Sequence, residues 1–359
     1  MKGSVLKKFL CTCLVTAAAL AATTISASAC TTIYVGGDLV EEGTPFVART
    51  EDYGSDYNKL WFISESGKWK QGDHYVGCPE YGPFEWDFTH DSYRFTYFTN
   101  DIYYDGICPE CGEKADHYSY TEFGTNEKGV SVSATETLYG NEKVTEADPY
   151  RDAEWAEANK SERIGIEETD IPTIILAEAS SAREGVKLLL DIYENYGCVA
   201  ASGVFVCDKD EVWYVENCSG TQYVAIKLNN NMIFLEPNMA VIGRVDLDDE
   251  NVIASKDLIA VAKKAGTFVG DEAKNIIDFR ASYARISEKM DQRMIDGLNY
   301  LNAAYKYDSD ALVADNTKFT ISNLDASDKL VALYTNIKAD RKLDKDDVFG
   351  YYKLSSIGK

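Results

Sequence analysis

Cys30 is the residue of this chain best placed to do covalent chemistry, because of what precedes it. Residues 1–8 carry Lys2, Lys7 and Lys8 and no acid, an apolar run extends from Phe9 to Ala22, and Ala27-Ser28-Ala29 ends the region with small residues. These are the charged, apolar and small-residue zones of a secretory leader, and the run is too short for an ordinary membrane-spanning helix. Residues 1–29 therefore read as a signal peptide. Removal after Ala29 by a signal peptidase would make Cys30 the first residue of an exported protein, secreted or held in the cell envelope. A cysteine at that position has two exclusive fates: its thiol is acylated as a lipid anchor, or it remains a nucleophile whose own α-amino group serves as base. Lipidation favours a large aliphatic residue three before the cysteine and an apolar run reaching almost to it. Here that residue is Ala27, and Thr23, Thr24, Ser26 and Ser28 intervene, which favours the free thiol.

Two other clusters could carry chemistry. Arg49-Thr50-Glu51-Asp52 gathers charge at the end of an extended segment, although charge at a strand end is ordinarily solvated surface. Cys108-Pro109-Glu110-Cys111-Gly112, with His74, Cys78, His90 and His117 nearby, has the spacing of half a zinc site. Its second half would need an irregular pair, and in an exported protein a disulfide is the stronger competitor. Nine cysteines less Cys11 and Cys13 of the leader leave seven, so complete pairing is impossible and Cys30 is the natural unpaired thiol. Cys198, Cys207 and Cys218 lie in apolar, strand-like contexts and read as buried thiols.

These residues need a scaffold, and the composition supplies one. The chain has 359 residues, 45% hydrophobic, 26% charged and 12% aromatic, which suits a folded globular protein and excludes wholesale disorder, collagen and a coiled-coil rod. Lysine and arginine total 36 against 59 acids, a net charge of -23, so nucleic acid is not an expected partner. No second apolar run of spanning length follows the leader. Cys30 to Val35 reads as a strand broken by Gly36-Gly37, and Thr44 to Ala48 resumes the extended pattern, so that a second strand returns Arg49 to Asp52 toward the start of the first. Residues 75–123 hold 14 aromatics, more than twice the average density, either as an insertion at about 70–123 that shapes a cleft or as core. Gly129 to Thr135 alternates as a strand after the turn Asn126-Glu127-Lys128, and Glu146 to Thr169 reads as a charged, exposed segment. Ser181-Ala182-Arg183-Glu184 is a capping-box sequence; Val186, Leu189, Leu190 and Tyr193 follow at helical spacing, and Gly197 closes the helix. A meander of strands is expected at 202–207, 211–218, 222–228 and 232–235, with helices at 255–265 and 291–305. The order favours antiparallel sheets packed with helices, an α+β fold, over repeated βαβ units.

At this point the residues resemble a known family: the bacterial dipeptidase A (PepD-type) cysteine peptidases, related to penicillin V acylase and bile salt hydrolase among the N-terminal nucleophile hydrolases. The matching pieces are Cys30-Thr31-Thr32, Arg49-Thr50-Glu51-Asp52, Asn126 to Val130 with Ala134-Thr135-Glu136, Ser181 to Gly185, Asp208 to Glu216 including Trp213-Tyr214, and Pro237-Asn238. They occur in family order over about residues 30–245 and fade beyond. The sequence after Asn238, Met239-Ala240, does not follow the pattern, and many members of the family are longer, so the chain reads as a short form or a fragment.

The resemblance implies a four-layer αββα sandwich over residues 30–359, with the nucleophile at the first residue of a strand. It also implies the chemistry: Cys30 attacks a peptide carbonyl, its α-amino group takes and returns the proton, and a thioester is hydrolysed. Reference pKa values of about 8.5 for the thiol and about 8 for the amine make that transfer inexpensive at neutral pH. By resemblance Asp52 orients the amine or binds the substrate's polar end, Arg49 favours the thiolate, and Asn238 donates to the oxyanion. On their own residues the alternatives are a cap for Asp52, a surface ion pair for Arg49 and an Asx turn for Asn238. Small peptides are the expected substrates, and the chemistry requires neither cofactor nor metal. Two other functions compete: an acylase cutting a non-peptide amide, and a lipid-anchored binding protein acylated at Cys30.

Overall fold

A computed structural model describes residues 30–50, 59–77, 84–100, 121–135, 138–285, 291–302, 330–332, 339–354 and 356. The first strands are β1 (Thr31–Val35), β2 (Phe46–Thr50), β3 (Lys59–Ser64), β4 (His74–Val76), β5 (Glu85–Asp87), β6 (Phe95–Asn100), β7 (Phe123–Asn126) and β8 (Ser131–Thr135). Four helices follow: α1 (Glu142–Ala147), α2 (Ala153–Asn159), α3 (Ile171–Glu178) and α4 (Ala182–Asn195). Next come β9 (Gly203–Cys207), β10 (Val212–Asn217), β11 (Tyr223–Lys227), β12 (Ile233–Glu236), β13 (Ile242–Asp246) and β14 (Val252–Ala254). The remaining elements are α5 (Leu258–Ala265), β15 (Gly270–Asp271), β16 (Ile276–Asp278), α6 (Phe279–Tyr283), α7 (Gln292–Leu301), β17 (Leu330–Ala332) and α8 (Lys345–Tyr352).

An eight-stranded antiparallel sheet in the order β14-β11-β10-β9-β8-β7-β6-β3 forms one inner layer. A three-stranded sheet, β12-β1-β2, and a four-stranded one, β15-β16-β13-β17, form the other. Successive residues of a strand point to opposite faces, and β9 divides its side chains accordingly: Val204 and Val206 face one core, Phe205 the other. The first core joins the large sheet to α3 and α4 through Ile174, Leu176, Val186 and Leu189. The second joins it to Ile33, Phe234 and Leu235 of the smaller sheet, beyond which lie Met294, Leu298 and Tyr351 of α7 and α8. The result is helix, sheet, sheet, helix, the four-layer α+β architecture. β10 is buried along its whole length because both cores meet there.

The meander is as read, with one difference of consequence. β9, β10 and β11 are neighbours in the large sheet, whereas β12 leaves it and pairs with β1. Helix α3 is invisible to periodicity because all eight of its residues are buried, which leaves no polar face to alternate with. The segment 146–169 is only partly exposed. It folds into the end of α1 and all of α2, and its last residues, from Gly165 to Glu167 and Thr169, are buried. Part of the described aromatic segment is core: Tyr75, Phe84, Phe88 and Phe95 pack with Trp69 beneath α3 and α4, while Phe98 and Phe123 are exposed. Cys78, Cys108, Cys111 and His117 lie outside the described residues. His74 pairs with Asp87 at 2.8 Å, and His90 meets the Asp91 and Glu178 carbonyls, so these histidines are engaged elsewhere.

Several of the motif residues hold this scaffold. The Asn126 side chain donates to the Leu176 and Ala179 carbonyls and accepts from the Lys128 and Val130 amides, tying the β7–β8 turn to the end of α3. Ser181 caps α4 by accepting from the Glu184 amide, while Glu184 reaches past it to Ser180. A Cβ on Gly185 would stand 2.7 Å from Ile175 and 3.1 Å from Val206, so only glycine lets α4 lie this close to α3 and β9. Asp208 accepts from the amides of Ala182, Asp210 and Glu211, fixing the β9–β10 turn against the start of α4.

Glu211 completes that junction. It binds Arg183 of α4 through both oxygens, Lys227 of β11 and the Trp213 indole, and chiefly the Arg183 contact pushes its pKa down to about 2. The depressed pKa gives stability that is present above the ordinary carboxylate value near 4.3 and is lost as pH falls toward 2. Glu211→Gln is expected to lower stability at pH 7 by about 1–2 kcal/mol, after discounting for solvent screening. In thermal denaturation from pH 5 to pH 2, the variant should lose less stability on acidification than the wild type.

Candidate active site

β1 is the middle strand of the three-stranded sheet, so whatever stands at its first position is flanked on both sides. Its register sets Thr32 opposite Arg49 on β2 and opposite Glu236 on β12. Carrying the β12 register on past Glu236 brings Asn238 level with Cys30. Thr31 and Thr32 are buried, whereas Cys30, one residue earlier, is partly open to solvent. The sequence thus delivers a thiol to the rim of the inner layer, with Arg49 on one side and Asn238 on the other.

Arg49 is not a surface residue, since its side chain keeps only 11% of its exposure. It crosses from the smaller sheet to the larger. Nη1 donates to the Ala134 carbonyl at 2.7 Å, and to Ser133 Oγ and the Glu122 carbonyl at 3.2 Å each. Nη2 donates to Cys30 Sγ at 3.3 Å and stands 4.0 Å from Glu168 Oε1. Burial works against the guanidinium charge, but the Cys30 sulfur and the Glu168 carboxylate outweigh it and raise the pKa. The arginine is a fixed cation, and a cation at this range favours the thiolate over the thiol.

The other side is organised by a residue that sequence reasoning missed. Arg293, on the first turn of α7, is buried and bound by Asp291 through Nε at 2.9 Å and Nη2 at 2.7 Å. Its Nη1 points at three acceptors: the Cys30 carbonyl at 2.9 Å, Thr31 Oγ1 at 2.9 Å and Asn238 Oδ1 at 2.8 Å. Asn238 adopts a left-handed backbone with φ 47, which asparagine tolerates better than most residues. With Oδ1 taken by Arg293, its amide group is the end left to donate elsewhere. The segment after it is pinned by Glu216, whose carboxylate accepts from the Val241 amide at 2.7 Å and the Ile242 amide at 3.1 Å. Burial pushes that carboxyl up to about 7 despite these donors. The only signal for Arg293 in the sequence is a basic residue next to Asp291 at a helix start. A cation is unfavourable there for the helix dipole, which hints that something else holds it.

Of the residues singled out from the sequence, the structure therefore brings Cys30, Arg49 and Asn238 together. Asp52 lies outside the described residues, as does Glu136. Asn126 is a structural tie remote from the thiol. Among the described residues no group of three metal-ligating side chains occurs.

Residues 29–318 match the family described as Peptidase family C69. The chain belongs to peptidase family C69. Its relatives include a protein named probable dipeptidase B from Streptococcus pyogenes serotype M6, 33% identical over 247 residues, covering 68% of this chain and 44% of that protein. Another, named probable dipeptidase, from Salmonella dublin, is 32% identical over 262 residues, 72% of this chain and 53% of that one. The chain thus spans about half the length of the curated relatives it matches. Among solved structures, penicillin V acylase from Agrobacterium tumefaciens is similar at 15% identity with a TM-score of 0.33, over 58% of this chain and 49% of that one. The C69 match begins one residue before Cys30 and takes in Arg49, Asn238 and Arg293.

Replacing Arg293 strands the groups it satisfies. Arg293→Lys keeps the charge and loses the fork that serves Asp291 and Nη1's three acceptors at once. A loss of about 2–4 kcal/mol is expected, read as a fall in the midpoint of urea unfolding.

Proposed function

We propose that this C69 chain is an exported dipeptidase that cleaves small peptides through Cys30 as an N-terminal nucleophile. The observation that carries the reading is the 3.3 Å contact from the buried Arg49 guanidinium to Cys30 Sγ, at the first residue before a central strand. The C69 match and the dipeptidase names of the relatives support the substrate class, and the leader-like residues 1–29 support export.

In this mechanism leader removal frees the Cys30 α-amine, which until then is an amide and cannot accept a proton. Thiol and amine sit on one residue, so covalent geometry sets their relation. Sγ, held toward its thiolate form by Arg49, attacks the carbonyl carbon, and the thiol proton passes to the α-amine. The Asn238 amide group donates to the oxyanion, held for that task because Arg293 occupies Oδ1. The tetrahedral carbon collapses, the C–N bond breaks, and the α-ammonium returns its proton to the departing amine. Water then attacks the thioester by the same route and frees the acid. By family resemblance Asp52 orients the α-amine.

Cys30→Ala should abolish hydrolysis of a dipeptide such as Ala-Leu, with kcat reduced by about 1,000-fold or more. Full activity in that variant would end the reading. Asn238→Ala should lower kcat by about 100-fold with little change in KM, as expected for an oxyanion donor. Intact mass of the exported protein should show Cys30 unmodified at the amino terminus. A diacylglyceryl increment there would favour the lipid-anchored alternative.

A further inference from the structure

The site holds a carboxylate that the mechanism above does not use. Glu168 lies in the turn before α3, where every residue from Gly165 to Asp170 is buried except Glu168 itself. Glu168 is the one partly exposed residue of that run, its side chain keeping 10% of its exposure, and it lies beside Arg49. The turn is rigid. Ile166 bridges to Cys198 in parallel, the Val199 amide donates to the Ile166 carbonyl at 3.2 Å, and the Asp170 and Ile171 amides close back on the Glu167 carbonyl. Asp170 is tied in turn to Tyr75 at 2.6 Å, and α3 follows directly.

Distance gives this carboxylate a meaning. Arg49 Nη2 stands 3.3 Å from Cys30 Sγ and 4.0 Å from Glu168 Oε1, so thiol and carboxylate are about 7 Å apart at most. An attacking sulfur stands about 3–3.5 Å from its carbonyl carbon. One Cα separates that carbon from the nitrogen of the same residue, about 2.5 Å. A charge-assisted N–H···O contact adds about 2.8 Å. A bent chain of those three steps covers the gap when the nitrogen belongs to the residue being acylated. The signs also fit: sulfur, guanidinium and carboxylate alternate from the nucleophile outward, and a cation continues the series.

We infer that Glu168 is the specificity residue that binds the free α-ammonium group of the substrate's first residue, limiting the enzyme to peptides cleaved after an unblocked amino-terminal residue. The inference rests on the dipeptidase reading above and deepens it. Glu168 forms no bond to the reacting atoms. It selects the substrate and places its first carbonyl over Cys30.

The test compares the mature wild type with Glu168→Gln on Ala-Leu and N-acetyl-Ala-Leu. The wild type should prefer the free amine strongly. The variant should lose about 10- to 100-fold in kcat/KM on Ala-Leu, chiefly through KM, with its rate on the acetylated peptide unchanged or raised. Glu168→Asp should recover part of the preference. An equal loss on both substrates would overturn the inference and leave Glu168 as a counter-charge for Arg49. Calorimetry separates this from a failure of the hydrolase reading. Ala-Leu should bind the Cys30→Ala protein, and bind the Cys30→Ala/Glu168→Gln protein at least tenfold more weakly. Equal binding by both would overturn the inference even if Cys30 proves to be the nucleophile. The expected difference in binding would sustain it even if Cys30→Ala keeps full activity.

Discussion

The site depends on a buried cation held against a thiol. Arg49 offsets its burial with hydrogen bonds: Nη1 serves the Ala134 and Glu122 carbonyls and the Ser133 hydroxyl, and Nη2 serves Cys30 Sγ. A guanidinium removed from water without such partners would be costly, so its position is over-determined by the two sheets it joins. Everything near it follows. The pairing of β1 with β2 must hold its register, because a slip of one residue would turn Arg49 to the opposite face. The two inner layers must keep their separation, because the same side chain touches both.

A second arginine does the complementary work on the other side. Arg293 comes from α7, far along the chain, and its single Nη1 gathers the Cys30 carbonyl, Thr31 and Asn238. The backbone of the proposed nucleophile and the proposed oxyanion donor thus share one anchor. Glu216 adds a third constraint from the middle of β10, holding the chain just after Asn238 by two amides. A strained left-handed residue at 238 persists because both of its flanks are fixed. The charged residues around the Cys30 thiol are largely occupied in keeping its neighbours still.

The motif residues divide into two kinds once the structure is known. Asn126, Ser181, Gly185, Asp208 and Glu211 build the junction of α3 and α4 with the large sheet, through caps, turns and one close approach. Cys30, Arg49 and Asn238 meet at the start of β1. A motif spacing does not separate these roles, because an asparagine that ties a turn and one that meets a substrate use the same amide. Burial and partner geometry separate them. Asn126 has all its side-chain donors and acceptors engaged by backbone groups, while Asn238 has its oxygen engaged by Arg293, which leaves its amide group to donate.

Much of this was legible in the residues alone where the signal is local. Alternation marked the strands from β8 to β11, a Ser-x-x-Glu start marked α4, and the leader-like segment ending in Ala27-Ser28-Ala29 singled out Cys30. The hairpin of β1 and β2 was legible too, and with it the return of Arg49 toward Cys30. What tertiary structure alone decided is non-local. Helix α3 carries no amphipathic pattern because it is buried all round, and β12 leaves the meander to pair with β1 in the second layer. Arg293 and Glu168 lie 263 and 138 positions from Cys30, and nothing in their neighbourhoods in sequence names that destination. Short-range patterns report which face of an element is buried. Which distant charges meet at its end is set by how the layers stack, and that information is carried by no single segment.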